Sequence, residues 1–427
     1  MLSAFLSSLF GFIFLNIPIA FSLILTTIML MVFANELSSA NIASSVYRGI
    51  DNFPLMAIPF FMLAGEIMNV GGMSRRIVNF ANALVGHVTG GLGYVSVVAS
   101  MIFAGVSGSA VADTSAIGSI LLPIMKKEGY DVPKSTALIA AAGTIGPIIP
   151  PSIPMILFGV VAGVSIVKLF LGGIIPGILI GVGLMIVWRF HAKKYGYKAV
   201  SHRQTRAEMM TAVKEAGWAL MLPIIILGGI VTGIYTPTEA AVVAVVYAFF
   251  IGMFIYKELK LSAMPEILVM ASKGTAVVLL VCGAATAAGY MITTAQVPEM
   301  LMKTLTELSG GNVLLAMFWI NILLLIVGCV MDLTPALLIL APMLLPVAES
   351  YGLDPVYFGV VMCVNLCIGL ITPPVGTVLY VGCGLSKISM GQITKPLLPF
   401  IGVMIVVLML ITYVPGLITF IPSLVNR

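Results

Sequence analysis

Two proline pairs constrain this chain more than any other feature. Pro150-Pro151 sits in Gly143-Thr144-Ile145-Gly146-Pro147-Ile148-Ile149-Pro150-Pro151-Ser152, and Pro373-Pro374 in Gly369-Leu370-Ile371-Thr372-Pro373-Pro374-Val375-Gly376-Thr377. Each stretch lies inside a long apolar segment. Proline has no amide hydrogen to donate, and its ring collides with the carbonyl four residues back, so neither segment continues as one helix. In lipid, non-helical backbone is tolerated only where it is buried in protein or lines a cavity. Each segment therefore predicts a broken transmembrane helix with a site at the break, over residues 135–164 and 355–385.

The two pairs are 223 residues apart (373 − 150). The same shift pairs Pro123 with Pro346, Asp131 with Asp354, Pro176 with Pro399, Gly105 with Gly328 and Gly146 with Gly369. Glycine matches come cheaply here, but five proline and aspartate pairings in one ungapped register do not. The chain is an internal duplication. With 60% hydrophobic and 9% charged residues, against about 25% charged in soluble domains, it reads as an all-α polytopic membrane protein. Residues 1–427 form a single membrane domain: a first repeat over 1–195, a basic linker over 196–217 and a second half over 218–427.

In order, the spacing predicts a retained first span near 3–33, since it has no basic n-region and its apolar run continues without a small-residue cleavage site, and a second near 53–70. Arg75, Arg76, Asn79 and Asn82 alternate with apolar residues at helical spacing, predicting an interfacial amphipathic helix over 73–86. Residues 93–126 are apolar but interrupted at 105–115. Arms of about 11 residues are too short to cross about 30 Å singly, which predicts a re-entrant hairpin. A span near 166–189 follows, and then Lys193, Lys194, Lys198, Arg203, Arg206 and Lys214 against one acid, Glu208. Short basic loops stay in the cytoplasm, so this run is a topology signal and not a nucleic-acid site.

The second half repeats the plan after two extra spans, near 218–235 and 237–256, the latter opened by a helix start at Thr236-Pro237-Thr238-Glu239. A span near 273–294, an amphipathic piece near 298–308, a hairpin over 313–348 turning at 328–335, the second broken helix and a last span near 396–420 complete it. The five cysteines all lie in apolar segments of this half, with no acid or histidine near Cys363 and Cys367, and read as packing residues.

If each repeat holds an odd number of crossings, the halves are inverted, and the hairpin tips and helix breaks converge near the midplane as in many secondary transporters. Ser107, Ser109, Thr114, Ser152, Thr334, Thr372 and Thr377 offer hydroxyls there, Asp113 and Asp332 carboxylates. Unwound backbone adds carbonyl oxygens. Hard oxygens with at most one carboxylate suit a monovalent cation better than calcium, which takes more ligands and charge, and half-helix N-termini suit an anionic substrate. The candidate sodium ligands are Ser107, Ser109, Gly146, Pro150 and Ser152 in one half, and Asp332, Thr334, Thr372 and Gly376 in the other. Ser107, Ser109, Asp113, Ser152, Asp332 and Thr377 are the substrate candidates. Any single hydroxyl can instead bond back to its own helix, whereas an acid inside a membrane is costly and usually functional.

No G-x-x-x-x-G-K-[ST] occurs, which argues against a self-contained ATP-driven pump. Gly105-Val106-Ser107-Gly108 matches the G-x-S-G of rhomboid-type intramembrane proteases, but such an enzyme needs a histidine base. His191 and His202 belong to the basic loop and His87 to the edge of the amphipathic helix. A channel would need a continuous polar pore, and a scaffold would have no use for four discrete polar interruptions.

The paired signatures GVSGSAVADTSAIGSILLP with GPIIPPS, and MDLTPALLILAP with GLITPPVGT, together with IYTPTEAA between the halves, resemble the large membrane subunit of tripartite ATP-independent periplasmic (TRAP) transporters over essentially the whole chain. That resemblance implies sodium-coupled import of an organic acid in the bacterial inner membrane, with two or more sodium ions transported. It implies two partners, a separate small four-helix membrane subunit and a periplasmic substrate-binding protein. It also implies an inverted-repeat elevator architecture similar to that of divalent anion/sodium symporters; a symporter of that kind working without a binding protein is the alternative. Sialic acid or a C4-dicarboxylate is the expected class of substrate, sialic acid by overall likeness.

Overall fold

The computed structural model describes residues 2–33, 39–199, 204–294 and 296–425. A chain this apolar satisfies its backbone within helices, and every regular element among the described residues is helical. The first half comprises α1 (Leu2–Phe14), α2 (Ile19–Phe33), α3 (Ser39–Ile50), α4 (Ala57–Val70), α5 (Met73–Val85), α6 (Gly91–Ser107), α7 (Ala110–Lys127), α8 (Val132–Gly143), α9 (Ile153–Ala162) and α10 (Ile166–Tyr195). The second comprises α11 (Arg206–Val231), α12 (Pro237–Phe250), α13 (Met264–Thr294), α14 (Val297–Ser309), α15 (Val313–Val330), α16 (Leu333–Ser350), α17 (Pro355–Gly369), α18 (Thr377–Ser386), α19 (Met390–Tyr413) and α20 (Gly416–Val425). Eight helical stretches among the described residues are long and apolar enough to cross a bilayer.

Both proline pairs interrupt helices as expected: α8 and α9 flank Pro150-Pro151, α17 and α18 flank Pro373-Pro374, and both X-Pro bonds are cis. The register carries through the elements, for α7 shifted by 223 runs 333–350, the bounds of α16. Of the two spans read as extra, α12 has a counterpart and α11 does not, since α11 shifted back by 223 ends at residue 8. Shifted back by 223, α13 covers 41–71 and falls on α3 and α4 together, while α12 falls on α2. One continuous 31-residue helix in the second half is thus two helices in the first, broken at Asp51-Asn52-Phe53-Pro54, because the proline there opens a new helix start.

Other boundaries move as well. The first span divides at Leu15–Pro18, where Asn16 adopts φ +62°, and the last divides before Gly416. The linker expected over 196–217 ends at Thr205, whose hydroxyl and Glu208 form a capping box that starts α11; Arg203 and His202 lie outside the described residues. Helix α3 stands where the spacing predicts no element. The hairpin arms are 17 and 18 residues in α6 and α7 and 18 each in α15 and α16, about 26 Å at 1.5 Å per residue. Shortness therefore does not make the hairpins re-entrant: most of the polar tip is itself helical, and only Gly108 and Ser109 separate the arms.

The two repeats interlock. Helix α9 packs on α16 and α17, and α18 packs on α7 and α8, with the rings of Phe158 and Phe358 6.5 Å apart where α9 meets α17. The amphipathic helices take different anchors. Arg75 and Arg76 at the start of α5 both reach Glu258 beyond α12, at 2.8 and 2.7 Å. Near the end of α14, Thr306 and Ser309 share hydrogen bonds with the Tyr351 hydroxyl after α16, at 3.2 and 3.0 Å.

Candidate functional site

The first hairpin turns against the first break. Gly108, at φ +59°, brings the tip so near the helix break that a Cβ there would stand 2.8 Å from the Pro151 carbonyl oxygen, which only glycine permits. One turn into α7, Asp113 is fully buried. The Ser107 hydroxyl donates to its Oδ1, and its Oδ2 has no hydrogen-bond partner among the described residues. A Cβ on Gly146 would lie 2.2 Å from that Oδ2, so the orphaned oxygen points onto the unwound backbone of the break. Thr114, equally buried and with an unpartnered hydroxyl, lies in the same way against Gly143. A buried polar atom without a partner is costly, and two side by side against bare backbone form a place for something that supplies the missing contacts.

Ser109 and Ser152 are spent differently. Each caps a helix, Ser109 accepting from the Ala112 amide and Ser152 from the Met155 amide, and the Ser152 hydroxyl donates to the Pro147 carbonyl. Pro150 is joined to Pro151 by a cis peptide bond.

In the second unit the carboxylate stands at the helix start. Asp332 is the N-cap of α16 and half-buried, and the Thr377 hydroxyl, opening α18, donates to it at 2.9 Å. Tip and break are tied a second time where the Val375 amide donates to the Cys329 carbonyl at 3.2 Å. Gly376, at φ +54°, turns the chain into α18. Thr334 lies half-buried in the first turn of α16. Thr372 is the residue that local bonding claims, since its hydroxyl donates to the Ile368 carbonyl of its own helix at 2.7 Å.

The structure thus assembles two sites: Ser107, Asp113 and Gly146 in one, Asp332 and Thr377 in the other. No hydrogen bond joins the two sets among the described residues. Sequence reasoning missed Gly143 as the seat of Thr114, and missed that Gly369 and Gly328 meet backbone to backbone, a Cβ on Gly369 standing 2.6 Å from Gly328. The second contact had a signal, because Gly105/Gly328 and Gly146/Gly369 are both matched pairs of the repeat; nothing marked the first. The protease reading fails on geometry as well as composition, since the Ser107 hydroxyl is committed to an aspartate and not to a histidine.

The chain matches, over residues 6–417, the family described as "Tripartite ATP-independent periplasmic transporter, DctM component". It is 44% identical to the 2,3-diketo-L-gulonate TRAP transporter large permease protein YiaN of Escherichia coli, covering 97% of each chain. It is 40% identical to the sialic acid TRAP transporter large permease protein SiaM of Vibrio cholerae, covering 97% of this chain and 96% of that one. In fold it resembles the crystal structure of the Alcanivorax borkumensis YdaH transporter, with a TM-score of 0.61 over 87% of each chain at 14% identity. A multi-pass helical chain with two hairpins, two proline-broken helices and this match along nearly its whole length belongs to the DctM family, the large permease component of the tripartite ATP-independent periplasmic transporters, and is a transporter and not an enzyme.

Proposed function

We propose that this chain translocates an organic acid into the cell against its gradient, driven by sodium, in the bacterial inner membrane. Its partners in this reading are a small four-helix membrane subunit and a periplasmic binding protein that delivers the substrate. The observation that carries the ion is the first site, where the orphaned Asp113 Oδ2 faces unwound backbone at Gly146. One carboxylate among hydroxyl and carbonyl oxygens matches a small monovalent cation, and among the described residues no three His, Cys, Asp or Glu side chains converge as a divalent metal would ask. The second site, Asp332 with Thr377, supplies a second ion or orients the substrate. The names of the relatives, one for diketogulonate and one for sialic acid, favour a carboxylated sugar as the class. Uptake into vesicles holding the assembled transporter tests the reading: it should stop when potassium or choline replaces sodium, and unchanged uptake would refute it.

Movement follows from the interlocking. Because α9 rests on the second hairpin and α18 on the first, both hairpins and both broken helices form one body that moves as an elevator past α1–α4 and α11–α13, the inverted halves carrying the sites across. Gly105 of the first hairpin abuts Pro223 of α11, a Cβ on it standing 2.9 Å from that ring. Oxidising a Gly105→Cys, Pro223→Cys pair should arrest uptake reversibly. Full-rate uptake by the cross-linked protein would replace the elevator with local gating.

A further inference from the structure

A crevice of about 520 Å³ opens between α3 and α13 on one side and α9 and α16 on the other. Its polar wall is Ser45, Arg48 and Asn52 facing Thr286, Tyr290 and Thr293; its opposite wall is apolar, with Leu157, Val161, Leu338 and Pro342. Arg48 is the single charged side chain lining it. Neither Asp51, three residues on, nor any other described carboxylate forms an ion pair with it, and no described acceptor takes its hydrogen bonds. The crevice between α4, α5 and α7 is built in the opposite sense, with Glu66 and Glu258 beside Arg75.

The side on which the Arg48 crevice opens can be traced. Lys193, Lys194 and Lys198 at the end of α10, with Arg206 and Lys214 opening α11, mark the cytoplasmic face. Helix α11 crosses from there, so α12 begins at the outer face. The Thr238 hydroxyl in its first turn reaches the Phe53 carbonyl at 3.4 Å, which puts Phe53, and Arg48 just before it, on the outside. Inward, Leu157 follows Ser152 by five residues and Leu338 follows Asp332 by six, about 8–9 Å of helix. The crevice therefore leads from the outer face toward both ion sites.

We infer that the Arg48 crevice is an outer docking site for the substrate anion, where a carboxylate pairs with the Arg48 guanidinium and the substrate's hydroxyls meet Ser45, Asn52, Thr286 and Tyr290. This rests on the reading of the chain as an organic-acid importer. An unpaired guanidinium with no acid beside it in the crevice is a bidentate carboxylate receptor, and its volume lies within the range of small-molecule sites. The apolar wall belongs to α9 and α16, the helices that start at the two ion sites, so an anion held by Arg48 touches the part of the protein that must close on it.

The test uses the transporter with both partners in vesicles. At saturating loaded binding protein, Arg48→Gln should cut maximal sodium-driven uptake about tenfold or more, Arg48→Lys should keep part of it, and the half-saturating binding-protein concentration should stay put. A direct readout accompanies it: Val161→Cys, on the apolar wall, is labelled with a neutral maleimide in the purified transporter, with sialate, diketogulonate and succinate tried in turn. One of these should slow labelling, and Arg48→Gln should abolish that protection. Protection that survives Arg48→Gln, or none from any of the three, overturns the inference. So does a rise in the half-saturating binding-protein concentration at unchanged maximal rate, which would make Arg48 a contact for an acid on that protein. A loss seen only in vesicles containing phosphatidylglycerol would assign Arg48 to lipid phosphate and overturn it too. Arg48-dependent protection without sodium-dependent uptake would refute sodium coupling while supporting the anion site.

Discussion

The two hairpin-and-break units share a backbone plan and differ in where they keep their carboxylates. In the first, Asp113 sits a turn inside α7, sealed from solvent, with Ser107 on one oxygen and bare backbone against the other. In the second, Asp332 opens α16, half-buried, and is tied across to the break by Thr377. At the offset of 223, Asp332 falls on Ser109 and Asp113 on Ala336. Duplication has thus preserved the interruptions, which come from proline and glycine, while the carboxylates stand at different positions in the two halves. A sealed carboxylate suits an ion held tightly through the cycle. One at a helix start, bonded across a gap, suits a contact that opens and closes.

Asp113→Asn should break this comparison most severely. Removing the charge from a buried site with no alternative partner should lower sodium-dependent uptake about 100-fold, and Asp332→Asn about tenfold, from a hydrogen bond to a charged group worth roughly 1.5–3 kcal/mol. Equal losses in the two variants would erase the distinction between sealed and gated sites. Gly369→Ala comes next and acts on folding: with Gly328 backbone 2.6 Å from the new methyl, it should lower stability by about 1–3 kcal/mol, read as a lower midpoint of thermal unfolding. At Gly146 the same change meets the Asp113 carboxylate instead, so it should raise the sodium concentration needed for half-maximal uptake by more than it lowers that midpoint.

Thr377→Val removes the tie across the second break, and a hydrogen bond to a carboxylate on a half-open surface should cost about three- to tenfold in uptake. Thr372→Val should do least, under about threefold, because its hydroxyl is already spent on Ile368. A larger effect at Thr372 than at Thr377 would show that the carbonyl of α17, and not the Asp332 tie, makes the second site.

The sequence by itself determined the membrane class, the duplication, both helix breaks and the family, because proline cannot be carried through a helix and 60% apolar residues leave a chain nowhere but lipid. It also singled out the acids and hydroxyls as candidates. Ser109, Ser152 and Thr372 bond to backbone close by in the chain, whereas tertiary structure decided that Asp113 faces Gly146, that Thr377 ties to Asp332, and that α3 and α4 stand where the other half has one helix. The reason is one of range. A break is a local consequence of backbone chemistry, whereas the partner of a buried oxygen depends on which segment, tens of residues away, packing brings within 3 Å of it.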